Sequence, residues 1–327
     1  MSTQSYRAIV MVVVLLAICA TFSALTIRES DDGERRAITF LSVMNLKNVL
    51  LQCAITTVAA VGMTLVIIAG GIDLSVGSLV ALCTVVFAIA SRRVEGSAGI
   101  AVGVGACLAA GAGFGVLNGA LVVHIGAPPF IVTLGTMLIG RGLAFVFAGG
   151  RTIHVGSVSS DPFVIPVMIS LGTVVLAHAF LAVTRYGRYV YATGGSEEAS
   201  RLSGVPVGRV KMLTYVACGI CAALGAIVYL IRMQAGNPLA QEGLELYAIA
   251  AAIVGGTSLS GGRGDILGTL IGALIMGVLA NGLGLLSVPD YWQKVIIGAV
   301  IVIAVGAEIL RQRWQDRAVS LNTSPKG

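Results

Sequence analysis

Few side chains in this sequence could do chemistry, and most of them sit among apolar neighbours. Residues 70–78 read GGIDLSVGS, which places one carboxylate, Asp73, inside a long hydrophobic region. A carboxylate at membrane depth is expensive, so it marks either a working group or one with a dedicated structural partner. The two glycines favour a helix break. Asp73 then suits the N-cap of the next helix, where it would accept from otherwise unpaired amides. A gate or an acceptor for a substrate hydroxyl is the functional reading, with Ser75 beside it, and it is compatible with the cap. Arg141, within Gly140-Arg141-Gly142, poses the same choice. It either lines a polar pathway or snorkels to the interface.

An internal echo adds Ser258 and Ser260 to this pathway-or-gate set. Residues 70–75, GGIDLS, resemble residues 255–260, GGTSLS, at an offset of 185. Internal repeats flanking broken helices are a habit of transporters. Chance is the alternative, since Gly, Ser and Leu are common in membrane helices.

A second cluster lies in the polar stretch 185–211, RYGRYVYATGGSEEASRLSGVPVGRVK. Ser196 followed by Glu197 and Glu198 reads as a helix N-terminus with acids in its first turn. Ala199, Leu202 and Val205 would form a small apolar face, ended by Gly204 and Pro206. A plain connector rarely needs about 25 residues. A short charged helix at a membrane surface suits docking by a soluble partner; the alternative is a solvated connector.

Other chemistry is missing. The four lysines, Lys47, Lys211, Lys294 and Lys326, follow Leu, Val, Gln and Pro, so no GxxxxGK[ST] nucleotide loop exists. Neither HExxH nor GxSxG occurs. All six cysteines lie in apolar segments, so a disulfide framework is not expected. Cys218 and Cys221 form a CxxC. The histidines are only His124, His154 and His178, so the pair reads as small residues on one helix face rather than a metal or redox site. No metal or cofactor is expected, and the chain is not read as an enzyme. Pro128-Pro129 is a helix-start signal.

The elements that must position these residues follow from composition. The 327 residues are 57% hydrophobic and 11% charged, with mean hydropathy +0.95. A soluble domain carries about 25% charged residues. The surplus apolar surface must face lipid. About 20 apolar residues cross the hydrocarbon as a helix. Ten spans are expected, at 9–27, 47–69, 75–91, 98–123, 130–148, 166–184, 212–232, 246–258, 265–285 and 293–310, with the eighth short or broken. The first is longer than a signal-peptide core of about 7–15 residues and reads as a retained helix. The net charge of +6 does not imply nucleic acid, because the basic residues sit between apolar runs.

Basic loops set orientation. Arg185, Arg188, Arg201, Arg209 and Lys211, the tail residues Arg311, Arg313, Arg317 and Lys326, and Arg7 then share the cytoplasmic side, with both termini. Arg28, Arg35, Arg36, Arg92 and Arg93 fall outside, against the rule.

Four stretches carry a family resemblance: VGMTLVIIAGGIDLSVGS at 61–78, PPFIVTLGTMLIGRGLAF at 128–145, residues 185–211, and NPLAQEGLELYAIAAAIVGGTSLSGGRGDILGTLIGALIMGVLANGL at 237–283. The chain resembles the ribose-type permeases of bacterial ABC sugar importers, which include ribose, xylose, arabinose and galactose systems. The resemblance implies an all-α ABC importer permease fold forming one domain over 1–327, and a homodimer in the lipid of the inner membrane. A separate cytoplasmic ATP-binding subunit would drive it, and a periplasmic sugar-binding protein would deliver a monosaccharide. It also implies that 185–211 is the coupling segment, with Gly194, Gly195, Glu197, Glu198 and Arg201 at its centre. Tyr247 is a departure: relatives usually carry an acidic residue in an ELDAIA-like string, and this chain has ELYAIA. An ion-coupled secondary sugar transporter is the alternative, with Asp73 as its one clear intramembrane carboxylate.

Overall fold

The computed structural model describes the backbone of residues 3–29 and 36–323, and the side chains of residues 9–27, 39–306 and 310. Arg7, Arg28, Arg35, Arg36 and the basic residues of the tail lie outside the described side chains.

Twelve helices are described: α1 (Thr3–Leu25), α2 (Val43–Ile68), α3 (Val76–Ser91), α4 (Gly96–His124), α5 (Pro129–Ala148), α6 (Val164–Val183), α7 (Arg185–Gly195), α8 (Glu197–Leu202), α9 (Val207–Met233), α10 (Leu244–Val254), α11 (Ile266–Leu285) and α12 (Asp290–Thr323). Two small antiparallel pairs, β1 (Ile27–Glu29) with β2 (Arg36–Ile38) and β3 (Ile153–His154) with β4 (Ala235–Gly236), close loops at the end away from α7 and α8.

Each expected span holds a helix, and the described residues establish only part of the expected ten crossings. Among the described residues six helices are long and apolar enough to cross a membrane: α2, α4, α5, α6, α9 and α11. α3, α10 and the described part of α1 are apolar but shorter. The 16 residues of α3 and the 11 of α10 rise about 24 and 17 Å, less than the roughly 30 Å of hydrocarbon. Both short helices adjoin the echoed glycine turns. After α2, Gly70 has φ +83°, and Gly70 N and Gly71 N donate to Ile67 O and Val66 O. After α10, Gly256 has φ +91°, and Gly256 N and Thr257 N donate to Ile253 O and Ala252 O. The two helix ends match in bonding at an offset of 186, one more than the strings suggest.

α2 and α9 form the buried centre. α4, α5 and α6 lie outside and expose Val116, Leu138, Val146, Leu176 and Val183, a surface suited to lipid. α4 carries a buried ridge at four-residue spacing, in which Gly99 and Gly103 face the end of α3 and Cys107, Gly111, Gly115 and Gly119 meet α9. A Cβ on Gly111 would collide with Gly219 O, and one on Gly115 would lie 2.5 Å from Tyr215 O. Small residues let membrane helices approach where no hydrophobic drive separates them from lipid. Cys218 and Cys221 belong to the same kind of contact. Both are free and buried, and a Cβ on Gly62 of α2 would lie 2.8 Å from Cys221 Cβ.

Candidate functional site

Thr184 opens α7, which no capping pattern in the sequence announces, by accepting from Gly187 N at 3.0 Å. Ser196 opens α8 as expected, accepting from Ala199 N at 3.2 Å with Glu197 and Glu198 in the first turn. Gly204, at φ +80°, closes it, with Gly204 N on Arg201 O and Val205 N on Ser200 O. The anticipated apolar face does not pack inward: Leu202 is 84% exposed and Ala199 is exposed, while Val205 is half-buried. It is presented to the surroundings instead.

Glu197 anchors α8 to α9. Its carboxylate pairs with Lys211 and, at 3.1 Å, with Arg201. The Lys211 hydrogen bond, with further help from Arg201, holds the Glu197 carboxyl below its usual range against partial desolvation. Glu198 is exposed and takes part in none of the hydrogen bonds or ion pairs of the described residues. A groove of about 300 Å³ runs from Glu197, Arg201 and Lys211 to Pro128 and Pro129.

Gly194 fastens this segment to the membrane helices. A Cβ there would collide with Ile68 O at the end of α2, and would lie 2.5 Å from Gly262 N. Gly262 N itself donates to Ile68 O at 2.9 Å. Tyr191 OH donates to Gly264 O at 2.9 Å. A Cβ on Gly262 would lie 2.7 Å from Gly195 Cα. The end of α2, the α10–α11 turn and the end of α7 therefore meet backbone to backbone.

Asp73 is not the cap of α3. Ser75 takes the N-cap position and makes no side-chain capping bond. Asp73 Oδ1 accepts from Ser75 N at 2.9 Å and from Ser75 Oγ at 2.6 Å, an Asx turn. Asn118 Nδ2 of α4 donates to Ser75 Oγ at 2.9 Å and lies 3.4 Å from Asp73 Oδ1. Thr133 Oγ1 of α5 donates to Ile72 O at 3.2 Å. Asp73 is 1% exposed and Ser75 0%. This is a buried latch between α3, α4 and α5, and Asn118 carried no sequence signal beyond being polar in an apolar run.

The remaining pathway candidates are not gathered at that latch. Arg141 Nη1 donates to Pro238 O at 2.7 Å and Ala240 O at 3.0 Å. It neither snorkels outward nor forms an ion pair within reach, but clamps the 237–243 loop. Ser258 is buried, its N–H on Arg263 O, whereas Ser260 is exposed. Sequence reasoning also missed Glu245, whose Oε2 is buried without a hydrogen-bond partner against Gly77 of α3.

Six helices of membrane-crossing length, broken partners at glycine turns and a short charged helix pair at one end describe a multi-pass membrane permease. The family described as branched-chain amino acid transport system / permease component matches residues 45–305, and the chain belongs to it. The chain is 40% identical over 311 residues to the ribose import permease protein of Escherichia coli K12, covering 91% of this chain and 92% of that one. The ribose import permease of Bacillus subtilis 168 is 42% identical over 282 residues, covering 81% and 85%. The D-allose transport system permease of Escherichia coli K12 is 36% identical over 301 residues, covering 89% and 91%. No solved structure gave a match.

Proposed function

We propose that this chain is the permease subunit of a bacterial ABC importer for a monosaccharide. The family description names branched-chain amino acids, but the relatives that align along nearly the whole chain are sugar permeases. The observation that carries the reading is the 40% identity to a ribose import permease across 91% of this chain. The chain forms one permease domain, works as a homodimer in the inner membrane with both termini cytoplasmic, and receives its sugar from a periplasmic binding protein.

The α7–α8 pair is the docking element for a separate ATP-binding subunit, with Gly194, Gly195, Glu197, Glu198 and Arg201 at its centre. Two features support this. Glu198 and Leu202 face outward, free to meet a partner. Behind them Gly194 contacts the end of α2 and the α10–α11 turn with no side chain between. Close-packed backbone does not compress, so a displacement of α7 moves both helix ends. ATP-driven closure of the partner would thus reach the spans and alternate access to the pathway.

Glu198→Arg tests the docking role, because it reverses an exposed charge that makes no side-chain hydrogen bond or ion pair among the described residues. ATP-driven uptake should be lost while the protein stays in the membrane at normal level; unaltered uptake refutes the role. Uptake that survives collapse of the proton and sodium gradients, with ATP held, separates this reading from an ion-coupled carrier.

A further inference from the structure

At the end opposite α7 and α8, a cavity of about 450 Å³ opens between α2, α10 and α11. That volume lies within the range of small-ligand sites. We propose that this cavity is a contact site for the monosaccharide on its way through the chain, with Tyr247, Glu242, Arg232 and Gln52 as the residues that meet it. The inference rests on the sugar-permease reading and gives that reading its substrate-facing residues.

The wall is unlike the rest of the interior. It brings together Gln52 and Thr56 from α2, Arg232 from the end of α9, Glu242 from the preceding loop and Tyr247 from α10. None of the hydrogen bonds among the described side chains engages these five residues. Arg232 and Glu242 are exposed, Gln52, Thr56 and Tyr247 half-buried, and Gln293 of the same wall donates to Val288 O at 2.8 Å; at the buried latch, by contrast, Asp73, Ser75 and Asn118 are spent on one another. A sugar offers a ring of hydroxyls, each both donor and acceptor, so it needs free donors (Arg232, Gln52) and free acceptors (Glu242, Gln52) at once. It also offers C–H faces, for which the half-buried Tyr247 ring provides an apolar wall. Met276 and Leu244 supply further apolar lining. A fatty substrate would leave these polar groups unpaired.

The cavity is pre-shaped. The loop before α10 is held at three points: Arg141 on Pro238 O and Ala240 O, and Thr84 Oγ1 accepting from Asn237 N at 3.2 Å. Gln241, which lines the cavity, adopts a left-handed φ of +53°, a conformation that costs a non-glycine residue and persists where surroundings enforce it. Arg141 is thus a positioning residue for the wall, not a contact.

The test uses the complete transporter, this permease with its ATP-binding subunit and binding protein in proteoliposomes, and D-ribose, D-allose and D-xylose as probes. Wild type should take up at least one of the three with ATP. Glu242→Gln and Tyr247→Ala should each lower that uptake about tenfold and change the ratio among the three sugars, for Glu242 from a lost hydrogen bond to a charged group and for Tyr247 from a lost apolar ring face. Nucleotide hydrolysis stimulated by the loaded binding protein should stay within about twofold of wild type, which shows an intact, coupled assembly. Tyr247→Phe should keep most of the uptake. Unchanged uptake and ratio in both variants overturns the cavity assignment and leaves the importer reading standing. Loss of stimulated hydrolysis in parallel with uptake in both variants also overturns it, because that marks a structural role. A wild type that carries none of the three sugars sinks the monosaccharide reading and the cavity's role with it.

Discussion

The two ends of this molecule solve opposite problems with similar residues. At the α7–α8 end, charges are paired and backbones touch: Glu197 holds Lys211 and Arg201, and Gly194 meets Ile68 and Gly262 with no side chain between. At the other end, Gln52, Arg232 and Glu242 line an open cavity and make no side-chain hydrogen bond or ion pair among the described residues, while Gln293 on the same wall donates to Val288 O at 2.8 Å. In the proposed docking role this end would relay a push and must not yield, which fits polar groups spent internally. In the proposed sugar-contact role the other end would keep polar groups unspent and let the surrounding scaffold bear the rigidity. Arg141 shows the division, since its hydrogen bonds go to Pro238 O and Ala240 O while nearby Glu242 makes no side-chain hydrogen bond or ion pair among the described residues.

The sharpest way to break the contrast is at the stiff end. Gly194→Val places a branched side chain against Ile68 O, where backbone occupies the space. The expected loss is at least about 3 kcal/mol, from overpacking and displaced hydrogen bonds, and little folded protein should reach the membrane. Normal accumulation and uptake would show that the three backbones are not in fixed contact. Next, Arg141→Ala removes the clamp from the open end. Two carbonyls lose a charged donor, so unfolding in mild detergent should show a loss of about 2 kcal/mol, and sugar uptake should show a raised KM. An unchanged KM would mean the cavity wall does not need the clamp.

The smallest effect belongs to the surface pair. A double-mutant cycle over Glu197→Ala and Lys211→Ala should give a coupling of no more than about 1 kcal/mol, because the Glu197 side chain is 42% exposed and solvent screens the pair. The sign with pH is fixed. The folded-state Glu197 value is depressed, so its contribution is fully present above the ordinary glutamate value of about 4.3 and is lost as pH falls through the lower folded value. Stability of α8, followed by hydrogen exchange of its amides, should therefore hold from neutral pH down to about 4.3 and decline below it in wild type. The same decline in Lys211→Ala would remove the pair as its cause.

Much of this was open to a reading of the residues in order. Apolar runs of 20 residues and the start of α8 at Ser196 depend on neighbours within a few positions, where helix period and capping act. So did the four stretches that resemble sugar permeases, now joined by matches along most of the chain. Local pattern failed where distance in sequence mattered. The sequence placed Asp73 as a cap, but only the approach of Asn118, 45 residues on, made it part of a latch. It offered no reason to join Glu197 to Lys211, to set Gly194 against Ile68 and Gly262, or to gather Gln52, Arg232, Glu242 and Tyr247 around one cavity. The number of lipid-length spans was likewise decided in three dimensions, because α3 and α10 are short helices set beside glycine turns. Hydropathy fixes which segments leave water. Which backbones touch, and which polar groups are left unpaired, depends on how helices distant in sequence cross.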